Sequence, residues 1–142
     1  MSQVDFYVLN ASGETNRQRF ACRLAEKAYR LNNRVHIKVA DQQSAAQIDE
    51  LLWTFRDGSF VPHEILQQSA GKSAAPVTIG SDALPATDCD LLINLSNSVA
   101  ESSAAFARVA EIVTSDDESK KRSRKHFVEY RNGGHTLESH KL

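Results

Sequence analysis

Short apolar runs alternate, along the first part of the chain, with segments whose apolar residues recur at the spacing of an amphipathic helix. Residues 4–9 form a β-rich run that ends in turn residues, which predicts a first strand. Apolar side chains recur at helical spacing over residues 20–31, whereas residues 34–39 alternate as a second strand. A second helical stripe follows over residues 48–55. The resulting β-α-β-α order favours parallel strands joined by crossover helices.

Polar residues ahead of the apolar stripes predict where the helices begin. Residues 15–18 and 44–47 each fit a capping box, in which a hydroxyl and a glutamine side chain satisfy free backbone N–H groups. Ser115 predicts the start of a third helix, because acidic residues follow it at the positive end of the helix dipole. This helix should end near Arg131, ahead of an Asn-Gly-Gly stop.

The second half of the chain is less regular. Residues 56–75 are predicted to be loop, and residues 76–80 a short strand. Residues 90–95 indicate a strand buried on both faces. Residues 104–113 predict a helical turn followed by a strand near 108–113. The last residues, 135–142, are expected to be a flexible tail beyond a single domain of residues 1–134.

The β-α-β start is typical of nucleotide-binding folds, so the glycines bear on function. Residues 10–14 contain one glycine and no G-x-G-x-x-G pattern. Residues 71–73 resemble the end of a phosphate loop, but Leu66 stands where its first glycine is required. The sheet is therefore expected to lack a phosphate-binding loop. A nucleotide-dependent enzyme remains an alternative supported by fold class alone.

Composition and scattered reactive residues favour a noncatalytic protein. Hydrophobic residues make up 41% and charged residues 25%, an ordinary soluble globular balance. Cys22 and Cys89 show no motif spacing, which favours a reduced, cytoplasmic protein. The five histidines show no ligand pattern with cysteines or carboxylates, so neither a metal nor a cofactor is expected. No Gly-x-Ser-x-Gly sequence occurs.

Charge is concentrated in one segment. The chain has a formal net charge of −1, yet residues 119–131 hold six basic residues against one acidic residue. Such a segment is either a solvated helix face or a docking surface for an acidic partner. A protein that binds nucleic acid directly through this helix is a further alternative, although interleaved aromatic residues are missing.

Helical geometry groups part of this segment into one surface. Successive helical residues rotate by about 100°, so Lys120, Phe127 and Arg131 lie within about 60° of Arg124. Arginine can hold a carboxylate with two parallel hydrogen bonds, and an aromatic ring can line an apolar slot. Val113, at the end of the preceding strand, could line the same slot. This set suits an acidic peptide with a terminal apolar side chain.

A second surface is predicted at the end of the second helix. Trp53 lies about 140° from Ile48, well off the apolar stripe. Phe60 and Val61 follow in a loop with Pro62. Either this loop folds back over Trp53, or the group is an apolar contact patch for another protein.

Several segments also carry a resemblance over nearly the whole chain. They are residues 6–9, 34–35, 49–53, 59–63, 75–77 and 90–95, and the closing Tyr130-Arg131-x-x-Gly134. Together the chain resembles the chi subunit of bacterial DNA polymerase III. The resemblance implies a three-layer α/β/α sandwich with a mostly parallel, Rossmann-like sheet. It also implies a noncatalytic clamp-loader accessory subunit that binds the psi subunit and the acidic C-terminal tail of single-stranded DNA-binding protein, and that meets nucleic acid only indirectly.

The resemblance implies two sets of binding residues. The psi contact would fall on Trp53, Phe60, Val61, Pro62 and His63. The contact with the acidic tail would fall on Val113, Lys120, Arg124, Phe127, Tyr130 and Arg131. Phe127 stands where the family can have a tyrosine, and Val128 where some relatives have a lysine.

Overall fold

A computed structural model describes residues 2–58, 60–66, 75–81, 89–99 and 106–142 of the chain. These residues contain three helices and seven strands. In chain order they are β1 (Gln3–Val8), α1 (Glu14–Arg30), β2 (Val35–Lys38), α2 (Gln42–Thr54), β3 (His63–Ile65), β4 (Val77–Gly80), β5 (Leu91–Asn94), β6 (Arg108–Val113), α3 (Asp117–Asn132) and β7 (Thr136–Lys141). In this part of the chain, no helix is both long enough and apolar enough to cross a membrane.

The seven strands form one sheet in the order β3-β4-β2-β5-β6-β1-β7, and every pairing in it is parallel. Helices α1 and α2 pack on one face through a core that includes Ile37, Ile48 and Ile93. Helix α3 packs on the other face, where Tyr130 joins a second core around Phe6. The predicted α/β sandwich is therefore confirmed, and its sheet is entirely parallel.

The buried strands lie where the apolar runs predicted them. Strand β6 has the predicted limits, and five of its six residues are buried. Strand β5 covers the centre of the predicted run, with Leu92 and Ile93 fully buried. Strand β3 was missed, because it is a three-residue edge strand inside a segment rich in turn residues. The phosphate-loop resemblance at residues 71–73 and the predicted helical turn before residue 106 lie outside the described residues.

All three helices begin at residues other than those predicted. Helix α1 starts after Gly13, which has a φ of 93° and provides no side-chain cap. Helix α2 is capped by Asp41, whose carboxylate accepts a 2.7 Å hydrogen bond from the backbone N–H of Ser44. Helix α3 starts after Asp116. The Asp116 carboxylate does not cap the helix but accepts a hydrogen bond from the backbone N–H of Gly13. The predicted capping boxes are therefore wrong, although the helices themselves are present.

The C-terminal residues form strand β7 at the edge of the sheet, so the predicted flexible tail is wrong. Strand β7 pairs with β1 over its whole length, and its Leu137 packs against the core under α3. Asp5 of β1 is buried and bonds to His140 of β7 and to Arg108 of β6. Burial opposes ionisation of Asp5, but these hydrogen bonds lower its pKa below the ordinary value. The polar composition of β7 is typical of an exposed edge strand, and for this reason the sequence pattern did not predict a strand there.

Candidate protein-binding surfaces

An aromatic patch, made of Trp53, Phe60, Val61, Pro62 and His63, lies where α2 ends and β3 begins. Trp53 is 53% exposed and Phe60 is 66% exposed. Their ring centroids are 5.8 Å apart, so the two rings form one continuous apolar surface. The loop thus reaches Trp53 without covering it, and the alternative of internal burial is wrong.

Two members of the aromatic patch hold it in place from below. Val61 is 1% exposed and belongs to the core beneath α2. The His63 side chain is also 1% exposed, and its ring lies 4.8 Å from that of Trp53. Its Nδ1 donates a 2.7 Å hydrogen bond to the carbonyl of Val61, while Nε2 lies 3.2 Å from Asp49 without hydrogen-bond alignment. Trp53 and Phe60 therefore offer the contact area, with half-buried Pro62 beside them.

A basic face, made of Lys120, Arg124, Phe127 and Arg131, follows one side of α3. The three cations are exposed. None of them forms a salt bridge among the residues that the structure describes. Arg122 lies off this face, half-buried, with its guanidinium 3.4 Å from the Asn97 side-chain oxygen. Burial and the nearby Arg17 lower the pKa of Arg122.

Phe127 is anchored by other aromatic rings and remains half-buried. Its centroid is 5.6 Å from that of Phe6, which is itself 2% exposed. Tyr130 meets Phe6 edge-on at 6.1 Å. The ring of Phe127 thus has a fixed base within the second core and an exposed part between the cations.

The structure does not bring all six predicted tail-binding residues to the surface. Val113 is 5% exposed and Tyr130 is 1% exposed. Both side chains pack in the core beneath α3, and neither offers a free surface to a ligand. Lys120, Arg124, Phe127 and Arg131 remain as the accessible members.

The structure contains a buried polar network under α3 that was not predicted from the sequence. Glu111 of β6 accepts hydrogen bonds from Tyr130 at 2.6 Å and from Asn94 at 2.7 Å. Its other oxygen lies 3.0 Å from Nδ1 of His126, whose Nε2 lies 3.1 Å from the carbonyl of Asn97. Burial alone would lower the pKa of His126, but the hydrogen bond and charge of Glu111 raise it. The one indication in the sequence was Glu111, a carboxylate within an otherwise mostly apolar strand. Its partners lie in other segments of the chain, so the sequence alone did not reveal them.

These features define an α/β protein with the layering of nucleotide-binding folds, with a single glycine between β1 and α1. Its distinctive exposed groups are an aromatic patch and a basic helix face. The chain belongs to the family described as DNA polymerase III chi subunit, HolC, whose family model matches residues 1–138. Members of this family are accessory subunits of DNA polymerase III, and the membership confirms the resemblance drawn from the sequence segments.

Curated relatives in three bacteria carry the same description, DNA polymerase III subunit chi. The Pseudomonas aeruginosa protein is 37% identical over 142 residues, covering 100% of this chain and 98% of the relative. The Escherichia coli K12 protein is 30% identical over 142 residues, covering 96% of each chain. The Haemophilus influenzae Rd protein is 31% identical over 135 residues, covering 93% of this chain and 92% of the relative.

Proposed function

We propose that this chain is a noncatalytic adaptor of the cytoplasmic clamp-loader assembly, where it joins psi to single-stranded DNA-binding protein. The aromatic patch would bind psi, and the basic face would bind the acidic C-terminal tail of single-stranded DNA-binding protein. Nucleic acid would be reached only through that second protein.

The separation of the two surfaces carries this proposal. Helix α2, which leads into the aromatic patch, packs over β3 and β4 at one end of the sheet. Helix α3 packs over β6 and β7 on the opposite face, three to six strands away. Adjacent strands lie about 4.8 Å apart, so roughly 15–30 Å separates the surfaces along the sheet. Two partners could therefore be held at the same time, and two modest contacts would reinforce each other through effective concentration.

The aromatic patch suits a partner that buries apolar side chains. Trp53 and Phe60 are each more than half exposed, and both have large apolar rings. Removing the exposed part of each ring from water would contribute about 2–3 kcal/mol, before the entropic cost of association. Because Val61 and His63 hold the loop against the core, little ordering would be needed on binding.

The basic face suits a short acidic peptide with an apolar end. Arg124 and Arg131 can each pair with a carboxylate through two hydrogen bonds, and Lys120 adds a third cation. The half-buried Phe127 provides an apolar contact among these charges. Val113 and Tyr130 would act as supports for Phe127 and α3 rather than as direct contacts.

A reconstitution experiment tests the adaptor function. The full chain, psi and a fluorescent peptide matching the acidic tail are mixed and separated by size-exclusion chromatography. We expect peptide fluorescence to move to the psi fractions only when this chain is present. If psi and the peptide compete for the chain, so that no three-component peak forms, the adaptor proposal fails.

A second candidate function is direct nucleic-acid binding through α3. It is favoured by the net positive charge of residues 119–131, on which several cations are exposed. Among the described residues of α3, however, Phe127 is the one partly exposed aromatic ring, which is a poor stacking platform. Tight binding of a single-stranded oligonucleotide by the isolated chain would favour this alternative over the adaptor.

A further inference from the structure

Three potential metal ligands converge where β7 pairs with β1. The donor atoms of Asp5, Glu138 and His140 all lie within 4.8 Å of one another. Glu138 and His140 alternate along β7, so their side chains share one face, and the strand register places Asp5 directly opposite Glu138. Tyr7, on the same face of β1, packs in the core of α1. The cluster therefore lies on the sheet face opposite α3 and apart from the basic face.

One distance within this cluster, which is also a hydrogen bond, equals the separation of two ligands of a common ion. His140 Nε2 and Asp5 Oδ1 are 3.0 Å apart. Two ligands about 2.1 Å from a metal ion and at right angles to each other are also separated by about 3.0 Å. Gln3 donates hydrogen bonds to Asp5 at 3.2 Å and to Glu138 at 3.1 Å, so a single group already bridges the two carboxylates.

The surroundings fix two of the ligands in orientation. Asp5 is 2% exposed, and Arg108 donates a 2.9 Å hydrogen bond to its Oδ2, which leaves Oδ1 facing His140. The His140 ring stacks on Tyr7 at 5.2 Å with an interplanar angle of 21°. Metal ligands are typically oriented by such outer contacts. Spacing along the chain did not reveal this set, because Asp5 joins it only through the strand register.

We propose that Asp5, Glu138 and His140 form a binding site for a divalent transition-metal ion, with Zn²⁺ as the reference ion. One imidazole and two carboxylates form an oxygen-and-nitrogen ligand set, in which Glu138 supplies a full negative charge and Asp5 shares its charge with Arg108. Water would complete the coordination. The ion would fasten the edge strand β7 to β1, so the site is structural and independent of the two protein-binding surfaces.

Isothermal titration calorimetry with Zn²⁺ on the metal-stripped full chain tests this site. We expect one ion per chain and a higher midpoint of thermal unfolding when Zn²⁺ is added. His140→Ala and Glu138→Gln should each weaken binding at least tenfold and abolish the thermal shift. Glu138 is exposed, so Glu138→Gln removes a ligand without disturbing the core. His135→Gln is the matched control, because His135 lies just before β7 and outside the cluster.

Three results would overturn the proposal. The first is the absence of Zn²⁺ binding by the unmodified chain. The second is binding that is unchanged in Glu138→Gln, since the site requires all three ligands. The third is equal affinity for Mg²⁺ or Ca²⁺, because these ions prefer oxygen ligands and gain little from an imidazole.

Discussion

The hydroxyl of Tyr130 donates a 2.6 Å hydrogen bond to Glu111, joining α3 to β6 beneath the basic face. Both residues are buried, at 1% and 3% exposure. Tyr130 also meets the ring of Phe6, on which Phe127 rests. The position of the half-buried Phe127 therefore rests on Phe6 and, through Tyr130 one helical turn further along, on the hydrogen bond to Glu111.

Tyr130→Phe should destabilise the fold without removing any exposed group of the basic face. The substitution deletes one hydrogen-bond donor to a buried carboxylate, which costs about 1–3 kcal/mol. Urea unfolding followed by circular dichroism measures this loss. Val4→Ala, which removes packing from the same core at a residue paired with Val109 instead of Glu111, separates the polar contribution from packing. Unchanged stability of Tyr130→Phe would show that Glu111 does not depend on this donor.

The pH dependence of stability should report the pair of His126 and Glu111. Burial alone would lower the pKa of His126, but Glu111 raises it in the folded chain, and the Asn97 carbonyl and Glu129 add smaller effects in the same direction. A raised folded pKa stabilises the fold fully below the ordinary histidine pKa of about 6.5, and this contribution is lost as pH rises through the folded value.

The free energy of unfolding should accordingly fall as pH rises above about 6.5, and His126→Gln should remove that part of the decline. Urea titrations at closely spaced pH values measure both slopes. His140→Gln serves as the control for a histidine outside the network, because His140 contacts Asp5 and Tyr7 on the other face of the sheet. Identical pH profiles for the unmodified chain and His126→Gln would contradict the role assigned to the pair.

Local sequence patterns predicted most of the fold but not its edges. Strand β5 was predicted to within one residue at each end, because a run of apolar residues in a buried parallel strand is a strong local signal. Strand β7 gave no such signal, since its polar side chains are tolerated only because β1 supplies the backbone partners. The start of α1 was misplaced because Gly13 adopts a positive φ and caps without a side chain.

The candidate surfaces were likewise predicted only in part from the sequence. Helical rotation alone placed Lys120, Arg124 and Phe127 on one side of α3, and the structure agrees. The same rotation puts Tyr130 about 120° from Arg124, and the structure buries it there, where its hydroxyl bonds to Glu111. Only the family resemblance had included Tyr130 in the contact set. Tertiary contacts between separate elements decide which members of a predicted set remain accessible.

Arg124→Glu should weaken binding of the acidic tail peptide more than tenfold while leaving psi binding unchanged. The substitution replaces a cation that can hold a carboxylate with a group that repels it. Fluorescence polarisation with a labelled tail peptide measures the affinity. Lys125→Glu is the matched control, because it changes net charge equally from an exposed position about 100° around the helix. Equal losses in both variants would mean that net charge, not the basic face, controls binding.

Binding of the tail should also depend steeply on salt. The cations of the basic face are exposed, and at an ionic strength of 0.1 M charges are screened over about 10 Å. Polarisation measurements between about 0.05 and 0.5 M NaCl should show falling affinity for the tail, with little change in psi binding. Constant tail affinity across this range would indicate an apolar contact in place of an ionic one.

Trp53→Ala should abolish co-elution of the chain with psi while leaving tail-peptide affinity unchanged. Trp53 is 53% exposed, so its removal costs little in the free chain, yet it takes away the larger ring of the aromatic patch. Loss of the area that it would bury corresponds to about 2–3 kcal/mol, or roughly 30- to 150-fold in affinity.

Leu31→Ala is the matched control for Trp53→Ala. Leu31 is 65% exposed and lies at the end of α1 near Arg108 of β6, four strands from β3, so this variant removes exposed apolar area without touching the proposed contact. Phe60→Ala should reproduce the loss, because its ring continues the surface of Trp53. Co-elution that survives in both patch variants, or that fails equally in Leu31→Ala, would place the psi contact elsewhere on the chain.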